Sequence, residues 1–380
     1  YRMTTGWAST RVLYFAREFD RPFVSSGHEK EDASVYRGFW RKFDETRNFP
    51  EMAGRRIRAH FDFDLRTGDA VQVKVALSAV SAEGALANLR AEIPHWDFRK
   101  TRAETREKWN AQLAKVDADF PDDEQRRVFY TALYHACIAP AVYQDVDGRY
   151  RGLDQGIHRA EGFTNYTIFS LWDTFRALHP LFTLIEPTRT RDMVASMLAH
   201  QRQSVHGMLP VWSHHANENW CMTGYHAVSV IADAAVKGIY DGDLRAALDA
   251  CTATATCGRY DGLASYMRLG YVPQEAFPYS ITATLEYAYD DWAIAQLAWK
   301  AGDEVTAKQY LRRASSWRNS YDAASGFMRP RRADGSWVAP FDPLDTHGQG
   351  FIEGNAWNYG LFVPHDPAAL VETMGGAARF

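Results

Sequence analysis

Several features that mark out whole classes of protein are missing from this chain of 380 residues. It holds no apolar run of the roughly 18 residues that a transmembrane helix requires. Its basic residues are scattered singly, and 43 of them stand against 47 acidic residues, so no positive stripe is available for a phosphate backbone. These absences exclude a membrane span and argue against nucleic acid as a partner.

Cysteine is scarce as well, and an N-terminal targeting signal is missing. The four cysteines form no CxxC pair, so a thiolate metal cluster is not expected, while disulfides are neither required nor excluded. The chain opens on Tyr1 without an initiating Met or a basic-then-apolar segment. That opening is typical of a cut, a matured terminus or a fragment.

Aromatic side chains, by contrast, are abundant. They make up 14% of the chain, with 12 Trp and 19 Tyr, whereas the hydrophobic content of 46% is ordinary for a folded globular protein. Trp and Tyr in such numbers suit the wall of a sugar-binding cleft, although a large helical core also takes up many. The composition therefore predicts a folded protein of one or two domains and leaves both uses of the rings open.

Apolar and polar residues alternate along much of the first eighty positions, which is the period of a half-buried β-strand. The predicted strands cover residues 11–19, 33–39, 57–65 and 71–77. We expect the last two to form an antiparallel hairpin through the turn at 66–69, with their apolar side chains packed and the other face wet. Residues 1–82 are therefore predicted to be the C-terminal part of an N-terminal antiparallel β-sandwich.

Beyond the strands the sequence becomes helical. A segment at 83–118 rich in Arg, Glu and Lys predicts a helical linker between two domains. We predict a helix capped by Asp122, and further helices at 164–178 (ended by Pro180), 187–203, 221–237, 243–257, 280–301, 303–321 and 355–361. Helix pairs joined by long loops are typical of an α/α toroid whose loops line a pocket. The predicted fold class is multidomain α+β, with the helical domain at 119–380.

Asp173 and Arg176 lie three residues apart in the segment SLWDTFRALHP, on one face of a predicted helix. That spacing permits an exposed ion pair. Neighbouring apolar residues surround the helix, so Asp173 is not expected to be freely solvated. A structural ion pair and a site residue are equally supported at this position.

The segment LPVWSHHANENWCMTGYH at 209–226 gathers His214, His215, Glu218 and His226. These residue types suggest zinc, but adjacent histidines point apart and the spacing HExxH does not occur, so this interpretation is weak. A second interpretation is a polar loop before a buried helix, with His226 as a hydrogen-bonded core residue. We favour a third, a carbohydrate subsite, because Trp offers an apolar face to sugar C–H groups while Asn, Glu and His supply hydrogen bonds.

Three carboxylates, Glu286, Asp290 and Asp291, lie within two turns of one predicted helix. Like charges at positions i and i+4 repel each other unless one is protonated or partnered. We favour a solvated helix face for this group.

Glu353 follows the long loop 324–352, with Phe351 and Ile352 on one side and Trp357 on the other. An apolar shell disfavours the charged carboxylate, which is what a general acid working near neutral pH needs. At the N-terminus of a helix, in contrast, the macrodipole favours the charged form. The sequence leaves both environments open for Glu353.

Taken in order, these segments resemble glycoside hydrolase family 92, the calcium-dependent exo-acting α-mannosidases. The stretches that carry the resemblance are TTGWASTRVLYFAREFDRPF (4–23), SLWDTFRALHPL (170–181), LPVWS and NENWCMTGYHAVSVIADAAVKGI (between 209 and 239), TLEYAYDDWAIAQLA (284–298), SGFMRPRRADGSWVAPFDPL (325–344) and GFIEGNAWNYGLFVPHD (350–366). They are spread over nearly the whole chain. The resemblance implies an N-terminal β-sandwich joined through helices to an (α/α)6 barrel.

The implied reaction is hydrolysis of terminal α-mannosides, commonly α-1,2-linked, on mannose-terminated glycans such as N-glycans, with inversion. Inversion needs two carboxyl groups roughly 6.5–9.5 Å apart, one protonating the leaving oxygen and one activating water. The resemblance assigns the general acid to Glu353 and binding of the terminal mannose to Asp173. Further substrate-binding positions that it implies are Trp172, Trp212, Asn219, His226 and Asn355.

The chain departs from the family pattern at two places. Asn358 stands where the family usually has Gln, and the sequence stops at Phe380, before segments similar to GNEPSHH and NDDCGQMS. Those segments carry the calcium ligands and the general base. We therefore expect a barrel truncated at its C-terminal end, completed by a longer parent chain or a companion chain. The implied cofactor is Ca²⁺, and the implied location is secreted or periplasmic.

Two alternatives to a mannosidase stay open on the sequence. A catalytically inactive carbohydrate-binding derivative would keep the same fold but lack the base. A phosphorylase or epimerase on the same helical toroid rests on fold analogy alone.

Overall fold

The structure is a computed structural model that describes residues 8, 10–29 and 58–380. These residues mix helices and strands, as predicted, and divide into two compact units. The first unit runs to Ile168 and also includes His214–Asn217, and the second comprises Phe169–Ser213 and Glu218–Phe380. The strand predicted at 33–39 lies outside the described residues.

The first unit begins with strands, continues with helices and returns to short strands. Its described elements are β1 (Tyr14–Phe19), β2 (Ser25–Glu29), β3 (Arg58–Asp62), β4 (Val73–Ser78), α1 (Ala82–Glu92), α2 (Phe98–Leu113), α3 (Asp123–Ala136), β5 (Ala141–Val142), β6 (Arg149–Arg151), β7 (Ile157–Arg159) and β8 (Tyr166–Thr167). Asp122 caps α3, as predicted, by accepting a hydrogen bond from the amide of Gln125 at 2.8 Å. Helices occupy most of the predicted linker segment.

The strand pairing differs from the predicted hairpin. β3 pairs with β2 and β4 pairs with β1, both antiparallel, so the two strands expected to form a hairpin join different partners. The turn at 66–69 does form, with the amide of Asp69 donating to the carbonyl of Arg66, but it lies within a longer connection. Phe19, at the end of β1, packs against Phe61 of β3 at 4.7 Å between ring centroids. The aromatic contacts and the longer connection favour this pairing over a tight hairpin.

The predicted faces of β4 are also reversed. Val73, Val75 and Leu77 are about half exposed, whereas Lys74 and Ser78 are buried. The reason is α1 and the chain after it, which cover the Lys74 face. The Nζ of Lys74 donates to the carbonyl of Ile93 at 2.8 Å and lies 4.1 Å from the ring centroid of Trp96. Its aliphatic stem can therefore be buried while its charge is satisfied.

The second unit is mainly helical. Its elements are β9 (Phe169–Ser170), α4 (Leu171–Thr174), α5 (Leu178–Ile185), α6 (Pro187–Gln203), β10 (Trp212–Ser213), α7 (Ala227–Val236), α8 (Leu244–Thr254), α9 (Leu263–Leu269), α10 (Ser280–Lys300), α11 (Glu304–Ala314), a 3₁₀ helix (Ser315–Ser320), β11 (Tyr321–Asp322), β12 (Phe327–Met328) and α12 (Pro367–Thr373). Among the described helices, none combines the length and apolarity needed to cross a membrane.

Two helix predictions, at 164–178 and 355–361, are wrong. Residues 164–178 form β8, β9 and the single turn α4, and Pro180 lies inside the first turn of α5 instead of ending a helix. The first turn tolerates proline because its amides have no partner within the helix. Residues 355–361 form turns and no helix. The spacing of apolar residues in these short, aromatic-rich segments therefore predicted helices that do not form.

Helix α10 forms the centre of this unit. It is buried along most of its length and packs against α7 and α11. Near its first turn a core forms from Ile281, Leu285, Trp317, Met328 and Phe351. The carbonyl of Gly350 accepts hydrogen bonds from the first-turn amides of Ile281 and Thr282 at 2.9 and 3.2 Å. The segment that follows Gly350 is thereby fixed to the start of α10.

Candidate active site

Two carboxylates far apart in the sequence, Asp173 and Glu353, both lie near enough to Cys221 for their charges to act on its thiol. Burial raises the pKa of Cys221, and the negative charges of both carboxylates raise it further. Asp173 and Glu353 are themselves exposed to solvent, while Cys221 is partly buried. The second unit therefore brings these two predicted site residues into one accessible neighbourhood.

Asp173 lies on the single turn α4, between β9 and α5. The hydroxyl of Ser170, which precedes α4, donates a hydrogen bond to its carboxylate. Arg176 turns elsewhere and pairs with Glu286 at 3.2 Å between Nη2 and Oε1. The ion pair between Asp173 and Arg176 that the sequence permits is thus replaced, and the Asp173 carboxylate faces solvent.

Glu353 lies on a loop with an unusual backbone. Its φ angle is 48°, in the left-handed region that non-glycine residues rarely occupy. Asn355 shapes the next residues, since its Oδ1 accepts from the amides of Trp357 at 3.0 Å and Asn358 at 3.2 Å, while its Nδ2 donates to the carbonyl of Leu344 at 3.1 Å. The exposed Glu353 side chain has neither the apolar shell nor the helix N-terminus that the sequence offered.

Behind these carboxylates lies Glu286, which joins their two segments. Its Oε1 accepts from Nε1 of Trp172 at 3.2 Å, from Arg176 and from the hydroxyl of Tyr359. Trp172 precedes Asp173, and Tyr359 closes the turn that follows Glu353. Nε1 of Trp172 also lies 3.3 Å from the hydroxyl of Tyr359. One carboxylate oxygen on α10 thus ties both site segments together.

The solvated face predicted for the α10 carboxylates is wrong, because Glu286, Asp290 and Asp291 are completely buried. Each has a cationic partner. His226 lies between Glu286 and Asp290, with its Nε2 2.9 Å from Oε2 of Glu286 and its Nδ1 2.8 Å from Oδ1 of Asp290. Arg313 lies 3.0 Å from Asp291. Pairing of this kind is what allows charges to remain in a core.

His226 is 1% exposed, with Phe175 stacked on its ring at 4.0 Å between centroids. The contact with Asp290 is a hydrogen bond, whereas the contact with Glu286 is close but not aligned as one. Burial alone would lower the pKa of His226, but the charges of Asp290 and Glu286 outweigh it and raise that pKa to about 9. His226 is therefore a buried residue whose two carboxylate neighbours favour its charged form.

The loop that carries Trp212 and Asn219 is organised by Glu218. The carboxylate of Glu218 accepts hydrogen bonds from the amides of Val211, Trp212, Asn219 and Trp220, at 2.8 to 3.1 Å. Nδ2 of Asn219 in turn donates to the carbonyl of Trp212 at 2.9 Å. The zinc interpretation has no support here, since Glu218 is used by backbone amides. The described residues hold no group of three His, Cys, Asp or Glu side chains that suits a metal.

Sequence reasoning missed Glu286, Arg176 and Tyr359 as parts of this site. One signal was available for Glu286. Helix α10 is apolar or small on nearly every side, which is the pattern of a buried helix, so its carboxylates needed buried partners. No local pattern indicates Tyr359 or Arg176, because their partner lies 73 and 110 residues away.

Comparison with known proteins relates the chain to one family. The model of the family described as "Glycosyl hydrolase family 92 catalytic domain" matches residues 84–380. A protein of Arthroderma benhamiae, described as an uncharacterized secreted glycosidase, is 27% identical over 352 residues, which cover 82% of this chain and 41% of that protein.

Solved structures give the same result. An α-mannosidase of family GH92 from Bacteroides thetaiotaomicron superimposes with a TM-score of 0.86 at 38% identity, covering 97% of this chain and 49% of its own. An inverting mannosidase of that family from the same organism superimposes with a TM-score of 0.85 at 33% identity, covering 98% and 50%. The chain thus spans about half the length of these relatives.

Proposed function

The chain belongs to glycosyl hydrolase family 92, and on that premise we propose that the full-length protein removes terminal α-linked mannose from glycans with inversion. The proposed linkage is α-1,2. The observation that supports this most directly is that the segments carrying Asp173 and Glu353, both exposed, are joined through hydrogen bonds to one oxygen of Glu286. A carboxylate that binds sugar hydroxyls and a carboxyl group that donates a proton belong together at such a site.

In the proposed reaction Glu353 is the general acid. Its proton passes to the glycosidic oxygen as the bond from that oxygen to the anomeric carbon breaks, and a water molecule attacks the opposite face of the sugar. Asp173 accepts hydrogen bonds from hydroxyl groups of the terminal mannose. Trp172, Trp212, Asn219 and Asn355 are proposed to line the subsite. We assign the general base that activates water to none of the described residues.

Calcium enters the proposal only as a prediction. The described residues contain no cluster of His, Cys, Asp and Glu side chains that could hold a metal ion. The carboxylates of α10 are already engaged, by His226 and Arg313. The residues present therefore do not fit a calcium site, and no step is routed through the ion. Ligands outside this chain stay a prediction.

The architecture and location are proposed on the same resemblance. We propose a partial β-sandwich at 1–82, a helical linker at 83–118 and part of an (α/α)6 barrel at 119–380. The relative from Arthroderma benhamiae is described as secreted, which supports an exported protein, with the bacterial periplasm as the alternative location. The proposed partners are mannose-terminated glycans and the remaining part of the catalytic domain.

Replacing the proposed acid tests the function. In the full-length protein, Glu353→Gln keeps the size of the side chain but removes its proton, so kcat on α-1,2-mannobiose should fall about 10³-fold, within the range for a lost general acid. Released mannose, followed over time by chromatography, gives the rate, and the anomer first released gives the stereochemistry.

The matched control is Glu372→Gln, the same change at an exposed glutamate of α12. Its kcat should stay within about twofold of the wild type, as expected for a substitution at an exposed surface position. Near-normal turnover by Glu353→Gln would refute the assignment of the acid. Mannoside binding without hydrolysis by the full-length wild type would instead favour the inactive carbohydrate-binding derivative.

A further inference from the structure

The segment that carries Glu353 is attached to α10 at two points. The first attachment precedes Glu353, where the carbonyl of Gly350 accepts from the amides of Ile281 and Thr282, and the amide of Ile352 donates to Oγ1 of Thr282 at 3.1 Å. The second follows it, where the hydroxyl of Tyr359 donates to Glu286. Glu353 lies between these attachments, with its side chain exposed, on a stretch without regular secondary structure.

The segment that carries Asp173 is attached to the same carboxylate. Nε1 of Trp172 and Nη2 of Arg176 both donate to Oε1 of Glu286, each at 3.2 Å. Asp173 is thus bracketed in sequence by two donors to one oxygen atom. The position of that oxygen is fixed from behind, because His226 holds the other oxygen of Glu286 and is itself held by Asp290.

We propose that Glu286 is a positioning residue, which sets the placement of Glu353 relative to Asp173 so that the proton reaches the leaving oxygen. This inference rests on the proposed function. Glu286 is fully buried, so it presents no surface to a substrate. Its effect passes through Tyr359 on one side and Trp172 on the other. A displacement of about 1 Å at a reacting group can cost 10²-fold in rate.

A positioning role and a purely structural role predict different results with different leaving groups. A sugar alkoxide leaves only when the acid protonates it, whereas a 4-nitrophenolate is stable enough to leave with little help. A misplaced acid therefore slows the disaccharide much more than the aryl mannoside. A partly unfolded enzyme slows both substrates by the same factor.

The test uses Glu286→Gln in the full-length protein, with α-1,2-mannobiose and 4-nitrophenyl α-mannoside as substrates. We expect kcat to fall about 100-fold on mannobiose and less than about 5-fold on the aryl mannoside, with KM for each within about 3-fold of wild type. Tyr359→Phe removes a single hydroxyl and should show the same selectivity at about 10-fold. If Glu286→Gln does not fold, the result for Tyr359→Phe alone decides whether Glu286 has a positioning role.

The control is Tyr266→Phe, which also removes a buried hydroxyl from the α10 carboxylates. The Tyr266 hydroxyl donates to Oδ2 of Asp291 at 2.9 Å and does not reach Glu286. Its loss costs the protein a comparable buried hydrogen bond, so it matches Tyr359→Phe in stability. We expect Tyr266→Phe to leave the ratio of the two kcat values unchanged.

A second measurement is independent of catalysis. Amide hydrogen exchange in peptides covering 353–359 and 172–176 should be faster in Glu286→Gln and Tyr359→Phe than in wild type, and unchanged in Tyr266→Phe. If wild type hydrolyses neither substrate, the proposed function fails, and exchange alone decides the positioning role. Equal losses on both substrates, or unchanged exchange in both variants, would overturn it.

Discussion

The carboxylates of α10 and those of the candidate site differ in almost every physical respect. Glu286, Asp290 and Asp291 lie on a long buried helix, each beside a cation. Asp173 and Glu353 lie on a single helical turn and a loop, exposed to solvent. A carboxylate surrounded by protein donors is held in place but cannot reach a reactant. One on an irregular segment can reach a reactant but needs outside support to stay in place.

The structure couples the two kinds through Glu286. Burying a charge costs several kcal/mol unless partners offset it. Each buried carboxylate therefore holds the residues that pair with it in fixed positions. Trp172, Arg176 and Tyr359 are such residues, and they flank the exposed carboxylates in sequence. The exposed carboxylates thus lie on segments that are bonded to the buried helix.

The largest expected effect comes from breaking the buried region. Glu286→Ala leaves His226, Arg176 and the Tyr359 hydroxyl without their common partner, and it should lower the free energy of unfolding by about 3–5 kcal/mol. Glu353→Gln, at an exposed position, should change it by less than about 0.5 kcal/mol. Urea unfolding of the full-length variants, followed by circular dichroism, measures both. Equal losses would show that the two regions do not differ as described.

A second prediction concerns pH. The pKa of His226 is raised from 6.5 to about 9, so the folded protein binds a proton between these values that the unfolded chain releases. The stabilisation is complete below pH 6.5 and is lost as pH rises through 9, by an amount on the order of 3 kcal/mol. Burial raises the pKa of Asp291 to about 7, so its effect on the free energy of unfolding changes mostly below pH 6.5 and overlaps little with that of His226.

Chemical unfolding at pH 6.5, 7.5, 8.5 and 9.5 would reveal this loss. The buried His179 and His200 serve as an internal contrast, because burial lowers the pKa of each to about 4. Their contribution is complete above pH 6.5 and is lost as pH falls toward 4. A free energy of unfolding that stays constant between pH 6.5 and 9 would contradict a charged His226.

The smallest of these effects is expected at Glu218, which is less deeply buried than the α10 carboxylates and accepts hydrogen bonds from backbone amides. Burial raises the pKa of Glu218, although the amides of Trp212, Trp220, Val211 and Asn219 act in the other direction. Glu218→Gln replaces one accepting oxygen with an NH₂ group, so we expect a loss of about 1–3 kcal/mol. Thermal unfolding against Glu275→Gln, an exposed glutamate, measures it. An unchanged midpoint would show that the amides find other acceptors.

Local features of the fold were predictable from sequence. Helix α6 begins and ends where predicted, because Pro187 suits a first helical position and the apolar period stops at Gln203. The N-cap role of Asp122 was also read correctly. The pairing of β1 with β4 was not, since the alternation of Val73, Val75 and Leu77 indicates a strand but neither its partner nor which face is covered.

The candidate site also contains features that the sequence predicts and features that it does not. The sequence pattern singled out Asp173 and Glu353 through motifs, and their roles stay predictions. The spacing of Arg176 and Asp173 permitted an ion pair between them but gave no indication of Glu286, which is 110 residues from Arg176. Spacing along a helix describes only neighbours on that helix. Which buried groups meet depends on tertiary packing that one sequence does not specify.

The backbone of Glu353 has a consequence for the stability of the fold. A φ angle of 48° suits glycine or asparagine, and a glutamate there carries a conformational penalty of about 1 kcal/mol. The side chain is exposed, so packing does not offset this penalty. The proposed acid therefore occupies a position at which the requirements of its chemistry and those of folding are opposed.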